Sequence, residues 1–319
     1  MAKYYTRACN FYYGKLAYLL IEKKKALPLC GNKHIAFDNL EIFSRNKKRI
    51  TSRFINYKNI GKLKSKEKIK VKKDLKKIIS KRKNFIFNLD FSNPNIMGIL
   101  NMTPDSFSDG GKYNKNNLAK KQLDNLFKSG ANLVDIGGES TRPGSKPVSL
   151  KVEWKRIKNT LKNIDKKKII SLDTRKSEIM EKGIKYGVKL INDVSGLNYD
   201  KNSIKVLKKY KTPFVLQHSL GNPDVMQNDP KYKNVLLDIY DFFEKKIKLL
   251  RDYGIKHNNI ILDPGIGFGK NLKHNMKIIQ NISIYHSLGF PILLGTSRKR
   301  LDRKSTRLNS SHRCISYAV

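Results

Sequence analysis

The stretch Leu133-Val134-Asp135-Ile136-Gly137-Gly138-Glu139-Ser140-Thr141-Arg142 decides the fold. It opens as a short apolar, β-branched run and ends in glycines, charges and hydroxyls rather than in a simple turn. Six more runs of the same kind begin at Ile96, Ile169, Leu190, Pro213, Ile260 and Pro291. The successive gaps are 37, 36, 21, 23, 47 and 31 residues, the spacing of strands alternating with helices. Runs this uniformly apolar suit strands buried on both faces of a parallel sheet. Helical patterns fill the gaps. Ala119, Leu123, Leu126 and Phe127 share a face before Gly130, and Val235, Leu236, Ile239, Phe242, Phe243 and Leu250 precede Gly254, a C-cap glycine. Seven such units predict an α/β fold, a TIM (β/α)8 barrel, with a doubly wound open sheet as the alternative.

Each run ends in polar residues. Asn101-Met102-Thr103-Pro104-Asp105 follows the first, Asp173-Thr174-Arg175 the third, and Asn192-Asp193, Gln217-His218, Asp263-Pro264-Gly265 and Ser297-Arg298-Lys299 the later ones. One such Asp ordinarily caps the next helix. Seven sets converging on the C-terminal face of a barrel point to a site.

The motifs are long enough to carry a resemblance. Gly98-Ile99-Leu100-Asn101-Met102-Thr103-Pro104-Asp105-Ser106-Phe107-Ser108-Asp109-Gly110 and Asp135 to Gly144 resemble the two signatures of the dihydropteroate synthase family, and Ser297-Arg298-Lys299 its third marker. The resemblance covers about residues 93 to 300. It implies an incomplete (β/α)8 barrel that condenses 6-hydroxymethyl-7,8-dihydropterin pyrophosphate with para-aminobenzoate, giving 7,8-dihydropteroate and pyrophosphate in folate biosynthesis. By the same resemblance, Asp173, Asn192 and Asp263 hold the pterin, and Lys299 reaches it and lines the para-aminobenzoate channel. Thr141 and Arg142 touch the pyrophosphate. Phe107, Pro143 and Phe268 shape the substrate pocket, the loops 102–112 and 139–149 close over it, and Asn101 is the protein ligand of a Mg2+ ion. Asp173, Lys299 and Arg142 are the expected catalytic residues.

Read alone, several of these are ambiguous. Asn192 also serves as a turn closer, Lys299 as one solvated lysine among many, and Asn101 as a turn former ahead of Thr103-Pro104. The chemistry nevertheless fits the residue types. A buried pterin edge needs carboxylate and amide partners, and a departing pyrophosphate needs donors and positive charge. Two departures from the family pattern stand out. Gln217-His218 replaces a Met-His pair whose Met packs on the pterin ring, and Arg300 replaces a Ser that helps bind the para-aminobenzoate carboxylate. A pterin-binding barrel of the folate-dependent methyltransferase type is the alternative enzyme.

The flanks read differently. Residues 1–90 hold 25 Lys and Arg against 6 Asp and Glu, so 1–92 is read as a basic N-terminal extension or linker, with Lys62 to Lys83 a solvated, partly helical stretch. The barrel is expected over 93–301. Residues 302–319 lack strand alternation and a helical face and are expected to be a foreign tail where strand eight and its helix should stand, leaving a chain of weak activity or none. The formal net charge of +41 raises a nucleic-acid partner as a rival class, but Lys is spread along the whole chain and the most basic run lacks aromatics for base stacking. Three scattered cysteines suit a reducing cytoplasm, and no apolar run is long enough for a membrane span. The resemblance further implies a homodimer for the full-length family member.

Overall fold

The computed structural model describes residues 2–47, 49–83, 85–86, 89–91, 93–103, 115–140, 145–219, 231–296 and 312–315, with backbone alone at 115–117 and 312–315. Alternating strands and helices begin at residue 95. They are β5 (Asn95–Asn101), α3 (Lys115–Lys128), β6 (Leu133–Gly137), α4 (Leu150–Lys162), β7 (Ile170–Asp173), α5 (Ser177–Lys185) and β8 (Leu190–Asp193). The series continues with α6 (Ser203–Tyr210), β9 (Phe214–Gln217), α7 (Val235–Asp252), β10 (Ile260–Asp263), α8 (Leu272–Gln280) and a two-residue β11 (Leu293–Leu294).

Strands β5 to β10 are all parallel and adjacent in chain order, forming a curled sheet. β8, β9 and β10 are buried along their whole length, as the apolar runs required. The helices cover the outside. α7 shows the principle best: Asn234 caps it by accepting from the amides of Leu236 and Leu237, while Val235, Leu236, Ile239, Tyr240, Phe243 and Leu250 are buried on its inner side. Each fully buried Leu, Ile or Phe of this kind contributes roughly 1.5–3 kcal/mol.

At the far edge, β10 donates from the Leu262 amide to the Pro291 carbonyl and makes a parallel bridge to Ile292, just before β11. Here the structure corrects one expectation. β12 (His312–Ile315), within the tail set aside from the fold, pairs antiparallel with both β5 and β11. The unpaired N–H and C=O groups of two strand edges are a template for any extended segment within reach, whatever its side-chain pattern. The position of an eighth strand is therefore filled by one running against the other seven.

The N-terminal part is also more than a linker. β1 (Lys3–Tyr13), α1 (Gly14–Glu22), β2 (Leu27–Leu29), β3 (Asn32–Arg45) and β4 (Ile50–Asn56) form an antiparallel four-stranded sheet with β3 paired to the other three. α2 (Ser65–Ile79), inside the run expected to be solvated, packs on it: Val71, Asp74 and Ile78 are fully buried. Their core also contains Ala8, Leu29, Cys30, Phe37, Leu40 and Ile42. Among the described residues, no helix is long and apolar enough to cross a membrane.

Candidate active site

The parallel register sets the site. Asn101, Gly137, Asp173 and Asn192 are successive neighbours across β5, β6, β7 and β8, and Asp263 on β10 pairs with Gln217 on β9. All stand at the C-terminal ends of their strands. Side chains alternate along a strand, so Asp263 and Gln217 share one face, as do Asp135 and Gly137 along β6. Two contacts confirm a common interior: the Asn192 Nδ2 donates to Asp135 Oδ2 at 2.8 Å, and a Cβ placed on Gly137 would lie 3.4 Å from the Asp173 Cβ. The sequence assignments Asp173, Asn192, Asp263 and Asn101 are thus brought to one end of the barrel.

This interior is polar where a barrel core is ordinarily apolar. Asn192, Ser171 and Gln217 are fully buried, and among the described residues Asn192 Oδ1, Ser171 Oγ and both amide atoms of Gln217 have no hydrogen-bond partner. Buried polar atoms of this kind are rare in folded proteins because each unmade bond costs roughly 1–3 kcal/mol. A polar ligand seated among them would restore those bonds.

Two supporting networks surround the strand ends. After β10, the Lys270 ammonium is buried and donates to the carbonyls of Gly265 (2.9 Å), Phe268 (2.8 Å) and His218 (3.3 Å), and to His218 Nδ1 at 3.1 Å. The Tyr232 hydroxyl donates to the Gly269 carbonyl, and Asn275 Oδ1 accepts from the Gly267 amide. Asp263 Oδ1 accepts from the Gly265 amide at 2.7 Å, so this residue closes its own turn as well as facing the site. Gly265 has φ +69°, and a Cβ there would meet the His218 carbonyl at 2.0 Å, so only glycine fits. The same loop carries Phe268, which packs on Val194 beyond β8. Burial and the Lys270 charge hold His218 well below the ordinary imidazole range, so it is neutral and accepts at Nδ1.

After β6 and β7, Lys176 pairs with Glu139 and with Glu153 of α4, Arg175 bonds Glu139 at 2.5 Å, and the Thr174 hydroxyl donates to Glu153 at 2.6 Å. The Arg175 guanidinium also lies 4.1 Å over the Tyr199 ring. A small cavity opens here between Asp173, Thr174, Arg175, Glu139, Glu153 and Val194. Sequence reasoning missed Lys270, Lys176, Glu153 and Ser171. Only the first had a usable signal, a lysine ending the glycine-rich run Gly265-Ile266-Gly267-Phe268-Gly269.

Asp193 is fully buried beside Asn192. Burial pushes its carboxyl up to about 6, against the opposing bonds from the Ser195 hydroxyl and amide. Phe107, Thr141, Arg142, Pro143, Lys299 and Arg300 lie outside the described residues, as do 104–112 of the first closing loop and 141–144 of the second.

A curled parallel sheet with carboxylates and amides gathered at the C-terminal ends of its strands is the arrangement of a barrel enzyme's active site. The chain belongs to the pterin binding enzyme family, whose pattern matches residues 97–318. A dihydropteroate synthase of Clostridium beijerinckii is 45% identical over 208 residues, covering 65% of this chain and 75% of the relative. Among solved structures, a dihydropteroate synthase from Clostridium difficile determined in the presence of pteroic acid is 40% identical with a TM-score of 0.60, covering 65% of this chain and 78% of the other. One from Xanthomonas albilineans in complex with 7,8-dihydropteroate is 30% identical with a TM-score of 0.61, over 69% and 79% of the two chains.

Proposed function

We propose that this protein is a dihydropteroate synthase, a transferase that joins para-aminobenzoate to 6-hydroxymethyl-7,8-dihydropterin pyrophosphate and releases pyrophosphate. The observation that carries this reading is the group of buried polar atoms on adjacent strand ends, Asn192 Oδ1 and the Gln217 amide unpartnered among the described residues, with Asp173 and Asp263 alongside. Pterin presents an amino group, a ring N–H and acceptor nitrogens in one plane. Carboxylates at Asp173 and Asp263 accept from its donors, and Asn192 supplies its amide oxygen as a further acceptor, its nitrogen being held by Asp135.

The reaction forms a C–N bond from the aniline nitrogen to the pterin methylene carbon and breaks the C–O bond to pyrophosphate, which leaves with the bonding pair. The aniline nitrogen is unprotonated at neutral pH and needs no base to attack; it loses one proton afterwards. Early C–O cleavage puts positive charge on the pterin, and the Asp173 carboxylate stabilises that charge. Thr141 and Arg142 are assigned to the departing pyrophosphate, Lys299, Phe107 and Pro143 to the para-aminobenzoate pocket, and Phe268 to substrate binding. That pocket excludes water that would otherwise trap the cation.

Among the described residues no group of three or more His, Cys, Asp or Glu is placed to hold a metal. Asn101 is a single oxygen donor at the end of β5, so the described residues offer no protein cage. That donor suits a Mg2+ ion held chiefly by substrate oxygens and water, with Asn101 as one ligand. The ion would neutralise charge on the pyrophosphate. We assign the protein to the cytoplasm, where its two described cysteines, Cys9 and Cys30, stay buried thiols, and to a homodimer.

The test is titration calorimetry with the pterin pyrophosphate and Mg2+, followed by measurement of pyrophosphate release. Binding is expected for the wild type and a loss of at least about tenfold for Asp173→Asn, which removes a charged acceptor worth roughly 1.5–3 kcal/mol. Release is expected only when para-aminobenzoate is also present. A protein that neither binds the pterin nor releases pyrophosphate overturns the assignment.

A further inference from the structure

We infer that Gln217 is a pterin-binding residue, its side-chain amide bonding directly to the heterocycle. The inference rests on the proposed pterin-binding reading and deepens it. Gln217 ends β9, lies beside Asp263 in the parallel register, and is fully buried. Its Cγ sits 3.4 Å from where a Cβ on Gly265 would be, so the chain is held against the turn that follows Asp263. Neither Nε2 nor Oε1 has a partner among the described residues.

A side chain that is merely filling space has no need of an amide. A methionine or leucine has nearly the same volume and carries no polar atom to desolvate, so an unpartnered buried glutamine destabilises the empty protein. Compared with either of these, glutamine keeps a similar size and adds one donor pair and one acceptor. Those are the complement of a lactam-like edge, in which a ring N–H neighbours a carbonyl. Lys270 does not compete for the amide, because it donates to His218 Nδ1 and to the Gly265 and Phe268 carbonyls, and His218 Nδ1 is taken by that bond. Asn192 does not either: its amide nitrogen is committed to Asp135.

The amide therefore has two opposite effects. It lowers the stability of the unliganded protein and raises affinity for a heterocycle able to bond it. A structural role predicts the reverse, a stabilising amide with no influence on ligand.

The experiment compares the full chain with Gln217→Met and Gln217→Leu, measuring the unliganded thermal midpoint and the dissociation constant for 6-hydroxymethyl-7,8-dihydropterin pyrophosphate. Both variants are expected to melt at or above the wild-type temperature and to bind the pterin about tenfold more weakly, the loss that follows when one ligand hydrogen bond goes unmade. Variants that bind as tightly as wild type overturn the inference, as does a lowered unliganded midpoint with unchanged affinity. Asp173→Asn separates the two readings. If it weakens binding while Gln217→Met does not, the Gln217 assignment alone fails; if the wild type does not bind the pterin at all, both fail.

Discussion

Asp193 and His218 sit at neighbouring strand ends and respond to pH with opposite signs. The Asp193 carboxyl titrates near 6 in the fold against 3.8 when unfolded, because full burial penalises its charge. Its folded pKa is raised, so the benefit is complete below 3.8 and is lost as pH rises through 6. Asp193→Asn keeps an oxygen for the Ser195 amide and hydroxyl while removing the charge. The variant is expected to be more stable than wild type by on the order of 2–3 kcal/mol at pH 7.5, with the difference fading between pH 6 and 4 in urea titrations. A constant difference across that range would show that burial of the charge is not the cause. His218 works the other way. Its folded pKa lies well below 6.5, so below that value the unfolded chain binds a proton that the folded one refuses, and stability falls with acid. His218→Gln is expected to flatten this acid slope by up to about 1.4 kcal/mol per pH unit below 6.5. His257 and His274, also shifted down by burial, keep the remainder.

At the scale of elements, the barrel strands were legible because each is a continuous apolar run, and a strand buried on both faces has little choice. The runs beginning at Leu190, Pro213 and Ile260 locate β8, β9 and β10 to within a residue. α2 was not legible as a packed helix. Its buried stripe is Glu67, Val71, Asp74 and Ile78, a helical spacing in which only two of four residues are apolar, so hydrophobic periodicity is nearly absent. Asp74 tolerates burial through the Thr6 hydroxyl at 2.9 Å and Lys70 at 2.6 Å, partners that are visible only after folding. The same holds for the network joining the loops after β6 and β7. Asp173, Asn192 and Asp263 could be assigned through the motifs they end, whereas Lys176, Glu139 and Glu153 meet from three separate elements and no local pattern marks them. This network fixes the start of the loop that continues to Thr141 and Arg142. Lys176→Met would leave Glu139 with Arg175 and Glu153 with only the Thr174 hydroxyl. Stripping the partner from a buried charge costs about 3–5 kcal/mol. Urea denaturation of this variant should show a loss of that size, and binding of the pterin pyrophosphate should weaken as the loop start is released. A stability change below about 1 kcal/mol would mean the two carboxylates are not held by this lysine.

At the scale of the whole molecule, the basic N-terminal unit and the barrel are joined by complementary charge over an apolar contact. α7 offers Asp238, Asp241 and Glu244 outward, and they meet Lys3 and Arg45 from the first and third strands: Arg45 to Asp238 at 2.7 Å, Lys3 to Asp241 at 2.7 Å. Beneath them the buried Tyr5 stacks edge-on against Tyr240, and its hydroxyl donates to Asp241 at 2.9 Å. Ser283 donates to the Ala8 carbonyl and Arg82 to the His286 carbonyl, so the unit is also tied to the segment between α8 and β11. Part of the excess positive charge of residues 1–90 thus answers the acidic first half of α7 in the same chain. Because Arg45 and Asp238 are partly solvated, the pair itself is worth little, on the order of 1 kcal/mol. Reversing it is more informative than deleting it. Arg45→Glu places a third carboxylate against Asp238 and Asp241 and is expected to lower stability by about 2 kcal/mol, less at high salt. Combining it with Asp238→Arg should recover at least half of the loss, because the exchanged pair restores the attraction at the same place. If the double variant is instead as unstable as the sum of the two single ones, the charges do not hold the unit to α7 and the contact rests on Tyr5 and Tyr240 alone.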